Sequence, residues 1–394
     1  TQPKAEESHI LQLFQFWEQG IWHSPLLVFA MQMMLMLVLG HTLALSKPIN
    51  TLIEKGTKYC NTTANAAAII TFFTILVSFF NWGLGLIFGA IFARKVGEYS
   101  SKNSTPLNYP LIGAAGYSGL MVWHGGISGS APIKIAEEGH FLADKIGVIS
   151  QAETIFSTMN ISISIILLIA LPLIMYYLGK ENTGSILTLQ SEEISESKDI
   201  TGAEKLDHSK IIARIAGGII LLYAFYKAFI LPESISLNVI NPNYINLVLL
   251  GLAIVLHKNF FKFLKAVDSA IGGASGILIQ FPLYFGIMGI MNHSGMVQIM
   301  SDFFVSISNE TTFPIFTFIS AGIVNVFVPS GGGQWAVQGP IIVETATQLG
   351  VSIPKSVMAL AYGDQLTNML QPFWALPLLA ITGLKAKDIL PFSL

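Results

Sequence analysis

The chain has 394 residues and a formal net charge of −2 at pH 7, and 52% of it is hydrophobic against 11% charged. Soluble domains carry about 25% charged residues, so this composition excludes one, and the near-neutral charge argues against a nucleic-acid partner. The alternating segments of about ten residues that mark a membrane barrel do not occur, so the fold class is an all-α polytopic membrane protein.

Residues 1–23 carry Leu11, Phe14, Phe16, Trp17 and Trp22. They predict a short helix in the outer interface of the bilayer, or equally a connector trailing from an earlier span. The chain starts at Thr1, and an N-terminal piece, perhaps one span, is expected to precede it. Spans are predicted at 24–45, 110–132, 153–178, 211–231, 241–257, 266–291 and 355–382. Each is long enough for a hydrocarbon core of about 30 Å.

Two further apolar stretches, 64–93 and 313–349, read as re-entrant hairpins. Each has a polar, glycine-rich centre, Asn81-Trp82-Gly83-Leu84-Gly85 in the first and Pro329 to Gln334 in the second. One long tilted helix is the alternative for 64–93. The cations decide between them, because cytoplasmic loops are enriched in lysine and arginine.

With 64–93 as a hairpin, sixteen of the 21 cations fall on one side. They are Lys47, Lys55, Lys58, Arg94, Lys95, Lys102, Lys180, Lys198, Lys205, Lys210, Arg214, Lys258, Lys262, Lys265, Lys385 and Lys387. A full crossing at 64–93 would spoil that segregation. The C-terminus is then cytoplasmic, and Lys134 and Lys145 belong to outer loops.

Five crossings, an odd number, separate the hairpins, so they enter from opposite sides, and each is followed by a broken span. The chain is thus an inverted-repeat transporter with two re-entrant hairpins and two broken transmembrane helices. The halves are 24–178 and 211–394, joined by a polar cytoplasmic linker at 179–210.

The breaks lie at Trp123-His124-Gly125-Gly126-Ile127-Ser128-Gly129-Ser130-Ala131-Pro132 and at Tyr362-Gly363-Asp364-Gln365-Leu366-Thr367-Asn368. Bare backbone in lipid is unfavourable, so such breaks persist only where they line an enclosed cavity. Half-helix N-termini suit a carboxylate, and unwound carbonyls suit a small cation.

The candidate substrate-binding residues are Asn81, His124, Ser128, Ser130, Ser330, Gly331, Gly332, Gln334, Thr367 and Asn368, with Gln371 nearby. They are mostly neutral, with almost no cationic side chain among them. Such a site binds an anion weakly unless a co-bound cation helps, which is the logic of ion-coupled symport.

Asp364 lies about nine residues into its span, or roughly 14 Å at 1.5 Å per residue, and an ionisable group at that depth is functional by default. It reads as coupling-ion ligand or proton acceptor, with Asn325 and Asn368 beside it, or as a cap on the half-helix. His124 could bond a carboxylate, carry a proton, or sit neutral among carbonyls.

Glu344 and Asp268 read as interfacial, and Tyr117 and Tyr362 as path-lining or packing residues. Neither glycine run is a phosphate loop, since the Lys-Ser/Thr that should follow is missing. Cys60 is the only cysteine, so no intrachain disulfide forms. No metal site, cofactor or enzymatic dyad is expected, beyond Na+ as a coupling ion.

Asn81 to Gly89, Gly116-Tyr117-Ser118-Gly119, Trp123 to Ser130, Val328-Pro329-Ser330-Gly331-Gly332-Gly333-Gln334-Trp335 to Pro340, and Asp364 to Pro372 carry a resemblance. At these motifs the chain resembles the short-chain fatty acid transporter (AtoE) family of bacteria over essentially its whole length. Members of that family are usually longer at the front.

The resemblance implies uptake of short-chain monocarboxylates, such as acetoacetate or butyrate, across a bacterial inner membrane. The family looks related to a larger ion transporter superfamily, whose homodimers work by an elevator motion driven by sodium; here proton coupling stays open. Carriage of other small organic anions or amino acids, or a passive anion channel, are the alternatives.

Overall fold

The computed structural model describes residues 9–182, 184, 202, 204–232, 237–327, 330–370 and 372–393. Most of the expected linker, together with Val328, Pro329 and Gln371, lies outside the described residues. Among those described, the regular structure is helical, with no β-strand.

In chain order come α1 (His9–Ile21), α2 (Ser24–Ala44), α3 (Lys47–Thr57), α4 (Thr63–Phe80) and α5 (Trp82–Asn103). Next are α6 (Tyr109–Tyr117), two 3-10 turns (Ser118–Met121 and Trp123–Gly125), α7 (Ser130–Lys134), α8 (Ala143–Ile146) and α9 (Thr158–Glu181). The second half holds α10 (Glu204–Asp207), α11 (Lys210–Phe229), α12 (Pro242–His257), α13 (Phe260–Ile271), α14 (Ser275–His293) and α15 (Met296–Ile307). It ends with α16 (Phe313–Phe327), α17 (Gly331–Leu349), α18 (Ile353–Thr367), a 3-10 turn (Asn368–Leu370), α19 (Pro372–Thr382) and α20 (Ala386–Ile389).

Helix starts are written locally. Thr62, Asn81, Asn108, Ser157, Ser209, Asn241, Asn259, Ser330 and Ser352 each accept a hydrogen bond from the N–H three residues on. Each satisfies a donor that the first helical turn leaves free. The Ser157 cap explains why α9 begins at Thr158 rather than at 153. The segment expected as a span at 110–132 is helical for only nine residues. It then tightens into 3-10 turns and runs irregularly from Gly126 to Gly129.

Several helices suit lipid. α2, α4, α9, α11 and the continuous α13–α14 unit are long and apolar enough to cross a membrane, by length and composition. α9 turns Ile165, Ile166, Ile169, Leu173 and Ile174 outward, and α11 exposes Ile215, Ile219, Leu222 and Phe225. α1 runs antiparallel along α14, with Gly20 against Phe285 and Gly289 and Trp17 over Gly286.

α4 and α5 double back. The Thr63 hydroxyl, at the start of α4, accepts from the Asn108 N–H just beyond α5, at 3.1 Å, so the pair enters and leaves at one end of the molecule. α16 and α17 do the same at the other end, where Phe313, Leu349, Val351 and Ile353 share a cluster with Leu142 and Ile149. Lys145 also reaches Glu344 there, at 3.0 Å.

The two broken spans run antiparallel between those ends. The Tyr109 hydroxyl, at the start of the first, donates to the Thr382 carbonyl at the end of the second (3.0 Å). Midway, the Tyr117 hydroxyl donates to the Asn368 carbonyl (3.2 Å), and the Asn368 amide donates to the Leu120 carbonyl (3.1 Å). Paired hairpins in opposite senses and crossed broken helices make up the inverted repeat.

Candidate functional site: hairpin corners and broken helices

In each hairpin the residue just before the second helix is extended and caps that helix. Asn81 (φ −153°, ψ 125°) takes the Leu84 N–H on its side-chain oxygen at 2.7 Å. Ser330 (φ −159°, ψ 106°) takes the Gly333 N–H at 3.2 Å. The N-terminal ends of α5 and α17 therefore both face the middle of the molecule, where helix dipoles favour negative charge.

The second corner presses on the first broken span. A Cβ on Gly331 would stand 2.1 Å from His124 Nε2, and one on Gly332 would stand 2.9 Å from the Phe281 ring. Only glycine lets the α17 backbone approach that closely.

Between the corners lies a cavity of ≈ 20 Å³. Ser130, Ser330, Gly331 and Gly332 supply its polar edge. Trp82, Trp123 and Trp374 wall it, with the Trp82 ring 5.5 Å from that of Trp123 and 5.4 Å from that of Trp374. About one water needs 10–15 Å³, so a carboxylate with a carbon tail enters only if the corners part.

Behind the cavity sits a second polar group. His124 and Asp364 are both fully buried, with Nδ1 3.4 Å from Oδ1. Nδ1 also lies 3.2 Å from the Ala361 carbonyl, while Nε2 has no hydrogen-bond partner. The His124 N–H donates to the Gln365 side chain (3.2 Å). The Asn368 side chain also lies against the Asp364 carboxylate, at a geometry short of a well-formed hydrogen bond.

The Asn325 amide joins the hairpin to this group. It donates to the Asp364 carbonyl, the Thr367 hydroxyl and the Asn368 side-chain oxygen, at 2.9, 2.9 and 3.1 Å.

The predicted residues therefore split into sets. Ser130, Ser330, Gly331 and Gly332 line the cavity. His124, Asp364, Asn325, Thr367 and Asn368 form the buried cluster beside it. Three further predicted residues lie outside the cavity lining and are tied into the hairpins, with Asn81 Nδ2 and Gln334 Oε1 left without a hydrogen-bond partner. Asn81 caps α5, Ser128 accepts from the Trp82 N–H at 3.0 Å, and Gln334 donates to the Ala321 carbonyl at 2.9 Å. Asp364 does not cap a half-helix with its side chain. Tyr117 and Tyr362 act as tethers, the latter donating to Asn160 at 2.8 Å.

Other residues are new. Asn160 donates to the Gly125 and Ile155 carbonyls (2.8 and 2.6 Å), fixing the first break. Lys134, expected in an outer loop, is buried beside Glu137 and Gln32. The site thus has a cation near it after all. The signals were present, a polar residue at the third position of α9 and a lysine four residues after Ser130, but nothing local says what they touch. No group of three or more His, Cys, Asp or Glu that could hold a metal occurs among the described residues.

Residues 4–394 match the family described as "Short chain fatty acid transporter". The chain belongs to this family. It is 36% identical over 391 residues to an Escherichia coli K12 protein named "Putative short-chain fatty acid transporter", covering 98% of this chain and 86% of that one. A Haemophilus influenzae protein of the same name is 36% identical over 403 residues, covering 98% and 88%.

Among solved structures, the Alcanivorax borkumensis YdaH transporter superposes with a TM-score of 0.61 at 12% identity, over 98% of this chain and 84% of that one. Neisseria gonorrhoeae MtrF, described as illuminating a class of antimetabolite efflux pumps, gives 0.59 at 12%, over 98% and 81%. At that identity the likeness shows the fold alone. Membership of the family makes this chain a multi-pass membrane transporter of small molecules and not an enzyme.

Proposed function

We propose that this member of the family is a secondary active transporter that takes up short-chain monocarboxylates of the acetoacetate or butyrate type. Uptake is driven by a Na+ or H+ gradient, in a homodimer of the bacterial inner membrane with the C-terminus in the cytoplasm. The substrate carboxylate binds between the hairpin corners, at the α17 N-terminus and the Ser130 and Ser330 hydroxyls. Its short tail lies against the tryptophans. Access alternates by an elevator-type displacement of the hairpins and broken helices.

The observation that carries this reading is the Asp364 carboxylate, fully buried beside the His124 ring and the Asn368 amide, with no lysine or arginine paired to it among the described residues. A buried charge without a countercharge is strongly unfavourable, so this group asks for a cation or a proton. That demand next to an anion site is what couples the two. A passive channel has no use for it.

The test is labelled butyrate uptake into proteoliposomes with sodium and proton gradients imposed separately. Accumulation above equilibrium under one of them, abolished by the matching ionophore, is expected. Equilibration without accumulation under both would leave a channel. Competition by a panel of carboxylates and amino acids ranks the substrate.

A further inference from the structure

A carboxylate leaving water for a chamber edged by hydroxyls needs a positive charge on its way. Among the described lysines and arginines, Lys134 is the buried one, with its side chain 2% exposed. It lies one helical turn beyond Ser130 of the cavity, so both project from the same face of α7. Its ammonium is 2.5 Å from Glu137 Oε2, 3.2 Å from Gln32 Oε1 and 5.3 Å from the centre of the Phe29 ring. The far edge of that ring meets Gly332, a wall of the chamber.

The Glu137 carboxylate is held as a bound anion would be. Oε2 receives the ammonium, and Oε1 receives the Gln32 amide at 2.6 Å and the Asn243 amide at 2.9 Å. Asn243 is exposed. A line of polar groups therefore runs from the surface at Asn243, through Glu137 and Lys134, to Phe29 and the chamber behind it. Glu137 itself belongs to no regular helix. Two residues on, Gly139 holds φ at +68° with nothing within 4 Å of a Cβ built there, so the stretch borders open space.

We propose that Lys134, Gln32 and Asn243 form a vestibule subsite for the carboxylate of the transported monocarboxylate, and that Glu137 occupies it in the substrate's absence. The incoming carboxylate displaces one of like charge, so the ammonium stays neutralised throughout the exchange. Phe29 then separates vestibule from chamber. This inference rests on the proposed carboxylate transport and adds to it the residues that first bind the anion.

Initial rates of labelled butyrate uptake into proteoliposomes test it, alongside butyrate binding read from tryptophan fluorescence, since three tryptophans wall the chamber. Lys134→Gln is expected to raise both KM and the dissociation constant by about tenfold or more. Glu137→Gln, which removes the competing anion, is expected to lower both. The double variant keeps hydrogen-bonding amides at both positions and no unpaired charge. It is expected to fold and to bind as weakly as Lys134→Gln alone.

Wild-type KM in the double variant, or single variants that lose maximal rate and thermal stability with no opposed shift in KM, would show a structural ion pair and overturn the subsite. Butyrate binding with these opposed shifts but no gradient-driven accumulation would sink the coupling and leave the subsite standing. If the wild-type protein binds no butyrate, both readings fall.

Discussion

His124 Nδ1 and Asp364 Oδ1 stand 3.4 Å apart at zero exposure, although 240 positions separate them in the chain. The contact exists because the broken spans cross antiparallel, so the 3-10 turn Trp123–Gly125 meets the last full turn of α18. A buried carboxylate there without a countercharge favours whichever ion or proton neutralises it. Asp364→Asn removes the charge and keeps the shape. Concentrative butyrate uptake is expected to vanish in this variant, while expression and downhill exchange persist. Gradient-dependent accumulation at the wild-type level would take Asp364 out of the coupling.

The glycine corner gives a sharper steric prediction. Gly331→Ala places a methyl group 2.1 Å from His124 Nε2, where something must shift. Overpacking of this kind costs about 1–3 kcal/mol, here set against the closed arrangement of the corners. Uptake is expected to fall roughly 5- to 150-fold at that cost. Gly218→Ala, with nothing within 4 Å, is the matched control and should transport normally. Equal activity in both would mean the corner does not close on His124 during the cycle.

The corners themselves are legible without a structure. An asparagine or serine before a glycine-rich run states both the end of one helix and the cap of the next, and these signals act over three or four residues. The same locality explains what could not be read. Asn81 and Gln334 look like ligands because they are polar and central, but half of each amide serves the hairpin: the Asn81 oxygen takes the Leu84 N–H and the Gln334 nitrogen reaches the Ala321 carbonyl on α16, while Asn81 Nδ2 and Gln334 Oε1 have no hydrogen-bond partner. Lys134 looks like a loop cation because it follows a proline and ends a span. Its burial is set by Gln32 and Asn243, more than 100 residues away in either direction. The antiparallel crossing follows from counting spans, but the contacts it creates do not.

Asn160 bridges the halves in a way that thermal unfolding can measure. Its amide holds the Gly125 carbonyl, and its side-chain oxygen receives the Tyr362 hydroxyl. Asn160→Ala leaves these two groups and the Ile155 carbonyl without their partner, and a buried unsatisfied group costs about 1–3 kcal/mol. A clear drop in the melting temperature of the purified protein is expected, with a smaller drop for Tyr362→Phe, which leaves the bonds to Gly125 and Ile155 intact. Equal losses in the two variants would place the stabilising contact at Tyr362 alone.

A pH dependence follows from His140, in the irregular segment between α7 and α9 and outside the spanning helices. Burial holds its pKa below the ordinary value, and the Lys134 ammonium adds to the lowering. The Gly147 carbonyl and Glu137 pull the other way. The hydrogen bonds suit the neutral ring, with Nε2–H donating to Gly147 at 2.8 Å and Nδ1 accepting the Leu142 N–H at 3.2 Å. A second ring proton would point at that N–H. The unfolded chain therefore takes up the proton first, so this contribution is complete above about pH 6.5. It is lost as the pH falls from there through the lower folded-state value. The melting temperature of the wild-type protein should fall between pH 7 and pH 5. His140→Ala should start lower and fall less, the difference in slope reaching at most about 1.4 kcal/mol per pH unit for one proton. Parallel curves for the two proteins would show that the ring stays neutral, or charges equally, in both states, and that burial at this position carries no linkage.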